Sequence, residues 1–408
     1  MNLPSIKPAP GATAFVLDGG GLLFVPGNAS LHTMSASAMR VWCALEEGWS
    51  LDQLASDQEE AVALRKLLEL WAGWGAVNGI TTQALADPPA RDWEPPRHPS
   101  ANQLNKLPSY VRRDYRLLGT TVRIACESDE QMDRVHPVLA HLEVEPLEVD
   151  PLKGDQTPSE GLAVISVEQS DDGHRINVNG IVLGQVPSLS LIGPEVKYGF
   201  LLLCLHRFDY LANIHAGSLG CGDAGLLLPG PKGSGKTTLT QALAGAGYDY
   251  LSDEYAPLRR ADCRVQPVPI GLCVKDSGVA TMTGLRADTS DHPVHLRQDG
   301  LNVRYLPPPT QRAEPVARPL RHVIFPTYRP GHPARLEAIS PLDGIARLVE
   351  NIESMPRSLT LDEVSRLVAT LEQVSFHTLQ HDQLGEAVAL IDGVTGGPNN
   401  SPKTTPND

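Results

Sequence analysis

The stretch GLLLPGPKGSGKTTLTQALAGAG, residues 225–247, decides the fold of this 408-residue chain. Its leucines predict a short buried strand, and the following segment, Gly230 to Thr237, fits the pattern G-x4-G-K-[ST] of a phosphate-binding loop. Apolar residues then recur at helical spacing, at Leu239, Ala242, Leu243 and Ala246. A strand, a glycine-rich loop and a helix in this order predict an α/β domain with a phosphate site where the strand ends.

The residue types of this loop suit phosphate chemistry. Glycines let backbone N–H groups turn toward phosphate oxygens without a Cβ in the way, and the helix start adds its positive dipole end. Lys236 can reach the β- and γ-phosphates, and the Thr237 hydroxyl can bind Mg²⁺. The alternative is a glycine-rich turn with an incidental lysine. The predicted nucleotide-binding residues are Gly230, Pro231, Lys232, Gly233, Ser234, Gly235, Lys236, Thr237 and Thr238.

Two adjacent acids, Asp253 and Glu254, follow the loop by one helix length and end a short apolar segment. In a β-α-β unit the second strand returns to the sheet edge that holds the nucleotide. A carboxylate there can hold Mg²⁺ or accept a proton from an attacking hydroxyl. We therefore predict magnesium ligands at Thr237, Asp253 and Glu254. The alternative is an Asp that caps a turn.

The charge balance argues against one large class of function. Lys and Arg total 34 against 48 Asp and Glu, a net charge of −14, so we expect no general nucleic-acid binding. No apolar run reaches the roughly 18 residues of a membrane-spanning helix, and the first residues lack the pattern of a secretory signal. Six widely spaced cysteines without a CxxC pair predict reduced thiols. These features predict a cytoplasmic protein with no membrane partner.

The chain divides into four predicted segments, which are 1–85, 86–110, 111–395 and 396–408. The first is a small winged-helix-like module with a hairpin over 14–27 and three helices. The last helix has Val62, Leu67, Leu70, Trp71 and Trp74 at helical spacing. A module this small is marginal alone, so we expect it to dock. The second segment is a proline-rich linker, the third the α/β domain, and the last a disordered tail.

The large segment shows further periodic runs. Alternating or apolar runs predict strands at 117–126, 162–167, 175–184, 225–230 and 323–326. Helical spacing predicts helices at 132–141, 194–210, 341–352 and 361–372. His377 and His381 would share one face of another helix, but no third ligand completes a zinc site.

Several other residues are candidates for the phosphate site. His215 precedes the strand that leads to the loop, although a lone histidine is more often structural than chemical. Lys275 follows the strand-like run PIGLCV. One arginine between 297 and 321 can stabilise charge on a transferred phosphoryl group, although a solvated face is the default for such residues. These arginines are Arg297, Arg304, Arg312, Arg318 and Arg321.

The central stretch resembles the HPr kinase/phosphorylase family in its kinase-like branch. The shared features are a histidine before the loop strand, a Walker-type loop and an acidic pair, here His215, Gly230 to Thr238, and Asp253-Glu254. The resemblance implies a P-loop kinase domain that uses ATP and Mg²⁺. It also implies that Asp253 accepts the proton of the substrate hydroxyl. The further catalytic residues that it implies are Lys236, His215 and Lys275.

This sequence also departs from that family. Glu254 stands where the family commonly has Asp, and the glycine-rich signature of the bifunctional enzymes is missing after the acidic pair. These departures count against phosphorylase activity and against HPr as the substrate. They favour the subset in peptide natural-product clusters, which phosphorylates a serine of a precursor peptide.

Residues 14–78 resemble the pyrroloquinoline-quinone biosynthesis D family, the precursor-recognition element of ribosomal peptide pathways. The matching pieces are VLDGGGLLF in the hairpin, the helix with Met39-Arg40-Val41-Trp42, and the spaced leucines and glycines of 67–77. The resemblance implies that this module binds the leader of a precursor peptide as a strand added to its hairpin edge. The alternative is a winged-helix-like decoration without a ligand.

Together the two resemblances imply an ATP-dependent kinase that phosphorylates a Ser or Thr hydroxyl of a precursor peptide. The related kinases also suggest a homo-oligomer. One alternative is a non-catalytic nucleotide-binding adaptor that recruits precursor peptides to another maturation enzyme. The other is a serine kinase that acts on an HPr-type carrier protein.

Overall fold

The computed structural model describes residues 6–27, 30–49, 51–55, 58–79, 109–146, 162–309, 316–356 and 358–398. Within them the chain is a mixed α/β protein, in which helices pack on antiparallel and mixed sheets. This architecture confirms the predicted α/β class. All but the last two residues of the predicted linker 86–110, and all but the first three of the predicted tail 396–408, lie outside the described residues.

The N-terminal part contains the predicted hairpin and three helices. The strands are β1 (Lys7–Pro8), β2 (Thr13–Leu17), β3 (Gly20–Val25), β4 (Ser30–Ser35) and β5 (Val77–Asn78). The helices are α1 (Ala36–Glu46), α2 (Leu51–Leu54) and α3 (Gln58–Gly73). β2, β3 and β4 form one antiparallel sheet, and β1 pairs with β5. β4 was not predicted, because its sequence SLHTMS contains only two apolar residues.

Both faces of β3, the central strand of the β2–β3–β4 sheet, are buried. Successive side chains of a strand point to opposite faces. Leu23 therefore lies in one core with Trp42 and Trp71, whereas Leu22 lies in another, shared with Ile345 of the C-terminal part. This arrangement explains the unbroken apolar run of β3, all of whose residues are buried. The small module is docked, as its size predicts.

Helix α3 packs on the core with only part of its predicted apolar side. Val62 and Leu70 are 53% and 44% exposed, which contradicts their predicted burial. Trp71 is buried as predicted, and Leu67 and Trp74 are partly buried against the same core. Leu64 and Leu68 are buried as well. Apolar residues lie on several sides of this helix, so their spacing could not identify the side that packs.

A six-stranded sheet begins the C-terminal part. Its strands are β6 (Val111–Leu117), β7 (Thr120–Cys126), β8 (Glu143–Val144), β9 (Leu162–Ser170), β10 (Gly173–Val178) and β11 (Ile181–Val186). They lie in the order β11-β10-β9-β7-β6-β8. Helices α4 (Asp129–Leu139) and α5 (Ile192–Arg207) pack against this sheet and share its apolar core.

Two of the predicted strands in this sheet contain a hairpin turn. The predicted strand 117–126 contains the turn between β6 and β7, and the predicted strand 175–184 contains the turn between β10 and β11. The turn residues Leu118 and Asn179 have φ angles of 51° and 48° and each precedes a glycine. Asn-Gly is a favoured pair for such turns. Apolar residues flank both turns, so the hydrophobic periodicity of the sequence did not reveal them.

The segment Leu189–Arg207, which contains α5, is long and apolar enough to cross a membrane by composition, with a mean hydropathy of 1.2. However, 61% of its apolar window is buried inside the protein. Ile192, Val196 and Phe200 lie in the core beneath the six-stranded sheet. This core position accounts for the apolar character of the segment.

The remaining strands build a ten-stranded sheet and a three-stranded sheet. They are β12 (Tyr210–Ile214), β13 (Ala216–Cys221), β14 (Ala224–Pro229), β15 (Asp249–Ser252), β16 (Ala256–Arg259), β17 (Arg264–Val265), β18 (Leu272–Lys275), β19 (His295–Leu296), β20 (Asn302–Leu306), β21 (Arg318–Tyr328), β22 (Arg335–Ala338), β23 (Ile352–Ser354) and β24 (Ser375–His381). The helices are α6 (Lys236–Gly245), α7 (Val279–Leu285), α8 (Pro341–Val349), α9 (Leu361–Leu371) and α10 (Leu384–Thr395). β18, β20 and β19 form the smaller sheet.

Four strands of the larger sheet end along the same edge. β21 is parallel to β14 on one side and to β24 on the other. β13 lies antiparallel between β14 and β15, so β15 runs in the same direction as β14. The four carboxyl ends lie at Ser252, Pro229, Tyr328 and His381. The predicted loop and the predicted acidic pair follow two of these ends.

Leu22 provides a test of the docked sheet. Leu22→Ala removes a fully buried side chain between the two parts, so we expect it to lower the free energy of unfolding by about 2–5 kcal/mol. Val16→Ala on β2 is the control, because Val16 is 70% exposed and should change stability by less than about 0.5 kcal/mol. Chemical denaturation measures both variants. Equal stability of the two would contradict the docked arrangement.

Candidate nucleotide site

The loop after β14 presents backbone N–H groups at the start of α6. Gly233 and Gly235 have φ angles of +86° and +91°, a region that glycine enters at little cost. Gly235 is the N-cap of α6 and has no side chain to bond the first N–H groups of the helix. These groups can therefore bind an anion, which the dipole of α6 also attracts. The predicted residues Gly230 to Thr238 form this loop and the first turn.

The side chain of Lys236 folds back over its own loop. Its Nζ donates to the carbonyl oxygens of Gly230 and Pro231 at 2.5 and 3.1 Å. Burial lowers the pKa of Lys236, and the charge of Lys275 lowers it further, whereas Asp253 raises it. The ammonium group is thus held inside the loop, where phosphate oxygens would be stronger acceptors than the carbonyls.

Asp253 lies beside the loop, directly after β15. The hydroxyl of Thr237 donates to its Oδ2 at 3.0 Å, so the predicted pair of residues is brought together. Its Oδ1 is buried and has no hydrogen-bond partner among the described residues. Burial raises the pKa of Asp253 to about 6, and the charge of Glu254 adds to the rise, while Thr237 opposes it. Such a carboxylate can take a proton near neutral pH.

Glu254 differs from its neighbour because it has a charged partner. The Nζ of Lys197, on α5, donates to Glu254 Oε2 at 2.6 Å. Burial alone would raise the pKa of Glu254, but Lys197 holds it below the usual value. Lys197 also lies over the ring of Tyr305, 4.9 Å from its centroid. Lys197 was not predicted; its only signal in the sequence is a lysine at the start of a helix that is mostly apolar.

His215 and Lys275 also lie near the loop. The Nδ1 of His215 lies 3.2 Å from Oε1 of Glu353, and the amide of Asn213 donates to the other oxygen of Glu353 at 3.3 Å. A protonated His215 would lower the pKa of Glu254, and the charge of Lys275, at the end of β18, lowers the pKa of Lys236. The structure thus groups the predicted catalytic residues around the loop. Glu353 is a further member that the sequence analysis missed.

Among the described candidate arginines, Arg297 is connected to the loop through Asp299. Its guanidinium donates to Asp299 at 3.0 Å, and Asp299 also lies 3.7 Å from Nζ of Lys232 in the loop. The charge of Arg297 acts on Glu254 as well. Arg304 pairs with Asp276 and Arg318 with Asp249, and Arg312 lies outside the described residues.

The expectation of a helix around His377 and His381 is wrong. Both residues lie on β24, where a four-residue separation spans about 13 Å, so they cannot share one metal ion. The described residues contain no cluster of three His, Cys, Asp or Glu that could hold a metal by itself. Mg²⁺ in nucleotide sites needs only one or two protein oxygens besides phosphate and water. The Thr237 hydroxyl and the unpartnered Oδ1 of Asp253 fit that requirement.

Comparison with known proteins adds no family assignment. The chain matches no protein-family model and no curated protein. Its function is therefore inferred from the residues around the loop and from the resemblances in its sequence.

Removing the carboxylate charge of Asp253 and removing that of Glu254 should change the stability of the protein in opposite directions. The pKa of Asp253 is raised from 3.8 to about 6 in the folded protein, so the wild type loses stability as pH rises through that window. Asp253→Asn removes this cost. We expect D253N to melt at a higher temperature than wild type at pH 8, with a difference that shrinks between pH 6 and 4.

Glu254→Gln is the matched control for this measurement. It leaves Lys197 buried without its partner charge, so we expect a lower melting temperature than wild type at pH 8. Scanning calorimetry of the three proteins across pH distinguishes the two effects. A D253N protein that is less stable than wild type at pH 8 would contradict the account of a buried, uncompensated carboxylate.

Proposed function

We propose that this protein is an ATP-dependent kinase that phosphorylates a Ser or Thr hydroxyl of a ribosomally made precursor peptide. One observation carries the proposal: the buried Asp253 is tied to the phosphate-type loop by Thr237 and keeps an unpartnered Oδ1. A loop for the triphosphate and a base beside it are the two parts that phosphoryl transfer requires. The resemblance to the HPr kinase family supports the same P-loop kinase fold.

The residues of the site have distinct roles in this reaction. The acceptor oxygen bonds to the γ-phosphorus while the bond from that phosphorus to the bridging oxygen of ADP breaks, and the hydroxyl proton moves to Asp253. Lys236 exchanges its loop carbonyls for phosphate oxygens and compensates their charge. Thr237, Asp253 and Glu254 are the residues that would hold Mg²⁺. When bound, the ion neutralises charge on the β- and γ-phosphates.

Neighbouring charges keep the two acids in different states. The ion pair with Lys197 keeps Glu254 ionised, and that negative charge helps to raise the pKa of Asp253. One carboxylate is thereby fixed in its charged form while the other can exchange a proton. His215, with Glu353, and Lys275 surround the same space and would orient the acceptor and the phosphates.

The N-terminal module is the proposed site for the peptide leader. β2 and β4 are the edge strands of its sheet, so either can accept an added strand. Beside β4, Trp74 stacks on His32 with ring centroids 3.8 Å apart, and Leu70, one turn earlier on α3, is half exposed. A leader strand along β4 would cover these apolar side chains. The buried face of the sheet fixes this surface relative to the kinase domain.

Asp253→Asn tests the catalytic role directly. We expect D253N to keep ATP binding through the loop, with weaker Mg²⁺ binding because one carboxylate ligand is lost. It should lose phosphoryl transfer by a factor of about 10²–10⁴, because the base is missing. Calorimetry measures binding, and intact-mass analysis of peptides encoded beside this gene measures the added phosphate. A variant that still transfers phosphate would remove Asp253 from the mechanism. Wild-type protein that binds ATP without any transfer would favour the adaptor.

The raised pKa of Asp253 predicts the pH dependence of the reaction. The base must be ionised, so we expect kcat/KM of the wild type to fall about tenfold per pH unit below pH 6. Peptide phosphorylation measured between pH 5 and 8 tests this slope. A rate that stays constant down to pH 5 would show that Asp253 does not titrate as the base.

Leu70→Ser tests leader binding without disturbing the core, since Leu70 is half exposed. We expect a raised KM for a peptide that carries its leader and unchanged kinetics for the leaderless peptide. Val62→Ser, on the same helix and equally exposed, is the control and should change neither. Steady-state kinetics with the two peptides give the answer. Equal losses on both peptides in L70S would contradict the capture role.

A further inference from the structure

His381 is a buried polar side chain that the proposed reaction does not use. It ends β24, is 1% exposed, and has no hydrogen-bond partner on either ring nitrogen among the described residues. Burying an unpaired polar group costs free energy, and such groups are uncommon in native proteins. His381 therefore needs an explanation in terms of a ligand or a structural role.

This side chain lies directly against the phosphate loop. A Cβ placed on Gly235 would be 3.3 Å from Nε2 of His381 and 3.5 Å from Cβ of Tyr328. The ring nitrogen thus faces the residue that caps α6. Burial lowers the pKa of His381, so its ring is neutral at pH 7 and offers one donor and one acceptor. A neutral imidazole of this kind can hydrogen-bond a hydroxyl group or the edge of a nucleobase.

The strand order divides the site into two sides. Asp253 follows β15, which lies on one side of β14, whereas Tyr328 and His381 end β21 and β24 on the other side. A triphosphate whose γ-phosphate lies toward Asp253 therefore directs its nucleoside toward Tyr328 and His381. Ligands of open α/β sheets bind in this way, along the carboxyl ends of the strands.

Tyr328 has the properties of a surface on which a base could stack. Its side chain is 48% exposed, and its ring lies edge-on to that of His381, with centroids 6.0 Å apart and an interplanar angle of 61°. The backbone N–H of Arg329 donates to the carbonyl of His381 at 2.8 Å. This bond holds the two strand ends together, so the aromatic pair is fixed in position.

We infer that Tyr328 and His381 form the subsite for the nucleoside half of the triphosphate, an inference that rests on the proposed function. Tyr328 stacks against the aromatic base, and His381 hydrogen-bonds the ribose. The loop itself binds only the phosphates, which every nucleoside triphosphate and inorganic tripolyphosphate share. Preference for a nucleotide over tripolyphosphate therefore comes from this pair.

Calorimetric titration of the full chain with ATP and with tripolyphosphate, each with Mg²⁺, tests the inference. We expect His381→Phe and Tyr328→Ala each to raise the Kd for ATP about tenfold, because a stacking or hydrogen-bonding contact is lost. We expect the Kd for tripolyphosphate to stay within about twofold of wild type in both. Tyr328 is half exposed, so Y328A remains informative even if H381F folds poorly.

His377→Phe is the matched control, because His377 lies on the same strand, has an unpartnered buried Nδ1, and lies about 13 Å from His381. It should change neither Kd. Equal weakening of ATP and tripolyphosphate in H381F and Y328A would overturn the subsite, as would wild-type protein that binds both ligands equally. Wild-type protein that binds neither ligand would overturn the subsite and the proposed kinase together.

Discussion

The hydrogen bond between Thr237 and Asp253 joins the two halves of the site, and the rest of the arrangement depends on it. It links the first turn of α6 to the end of β15, across the intervening strand β13. It is also one of the few interactions that stabilise the negative charge of Asp253, whose carboxylate has almost no contact with water. Holding such a group costs stability, which proteins accept mainly where the group has a chemical task.

The ion pair of Lys197 and Glu254 extends this arrangement to the six-stranded sheet. Lys197 belongs to α5, whose other buried side chains form the core of that sheet, whereas Glu254 belongs to the sheet that holds the loop. A buried charge left without its partner is strongly destabilising, so the two sheets are constrained to keep this contact. The packing of the two sheets therefore also determines the charge state of the acidic pair.

The N-terminal module shows how a small unit can be stabilised by its neighbour. One face of its sheet covers Trp42 and Trp71, and the other shares a core with α8 of the larger part. A module of this size buries too little apolar surface to be robust alone. Docking supplies the missing burial and leaves the β4 edge and part of α3 on the outside. A bound peptide would therefore stand at a defined place relative to the loop.

The sequence by itself determined the phosphate loop, the acidic pair and the hairpin, because positive-φ glycines, a helix start and alternating apolar residues are local features. It did not reveal β4, which contains only two apolar residues, or the turns at Leu118 and Asn179, which apolar residues flank on both sides. Only the tertiary structure decided which residues of α3 are buried, and only it placed Lys197 beside Glu254 and His381 beside Gly235. Lys197 is 57 residues from Glu254 in sequence, and a charge pair across that distance exists only when two sheets bring it together.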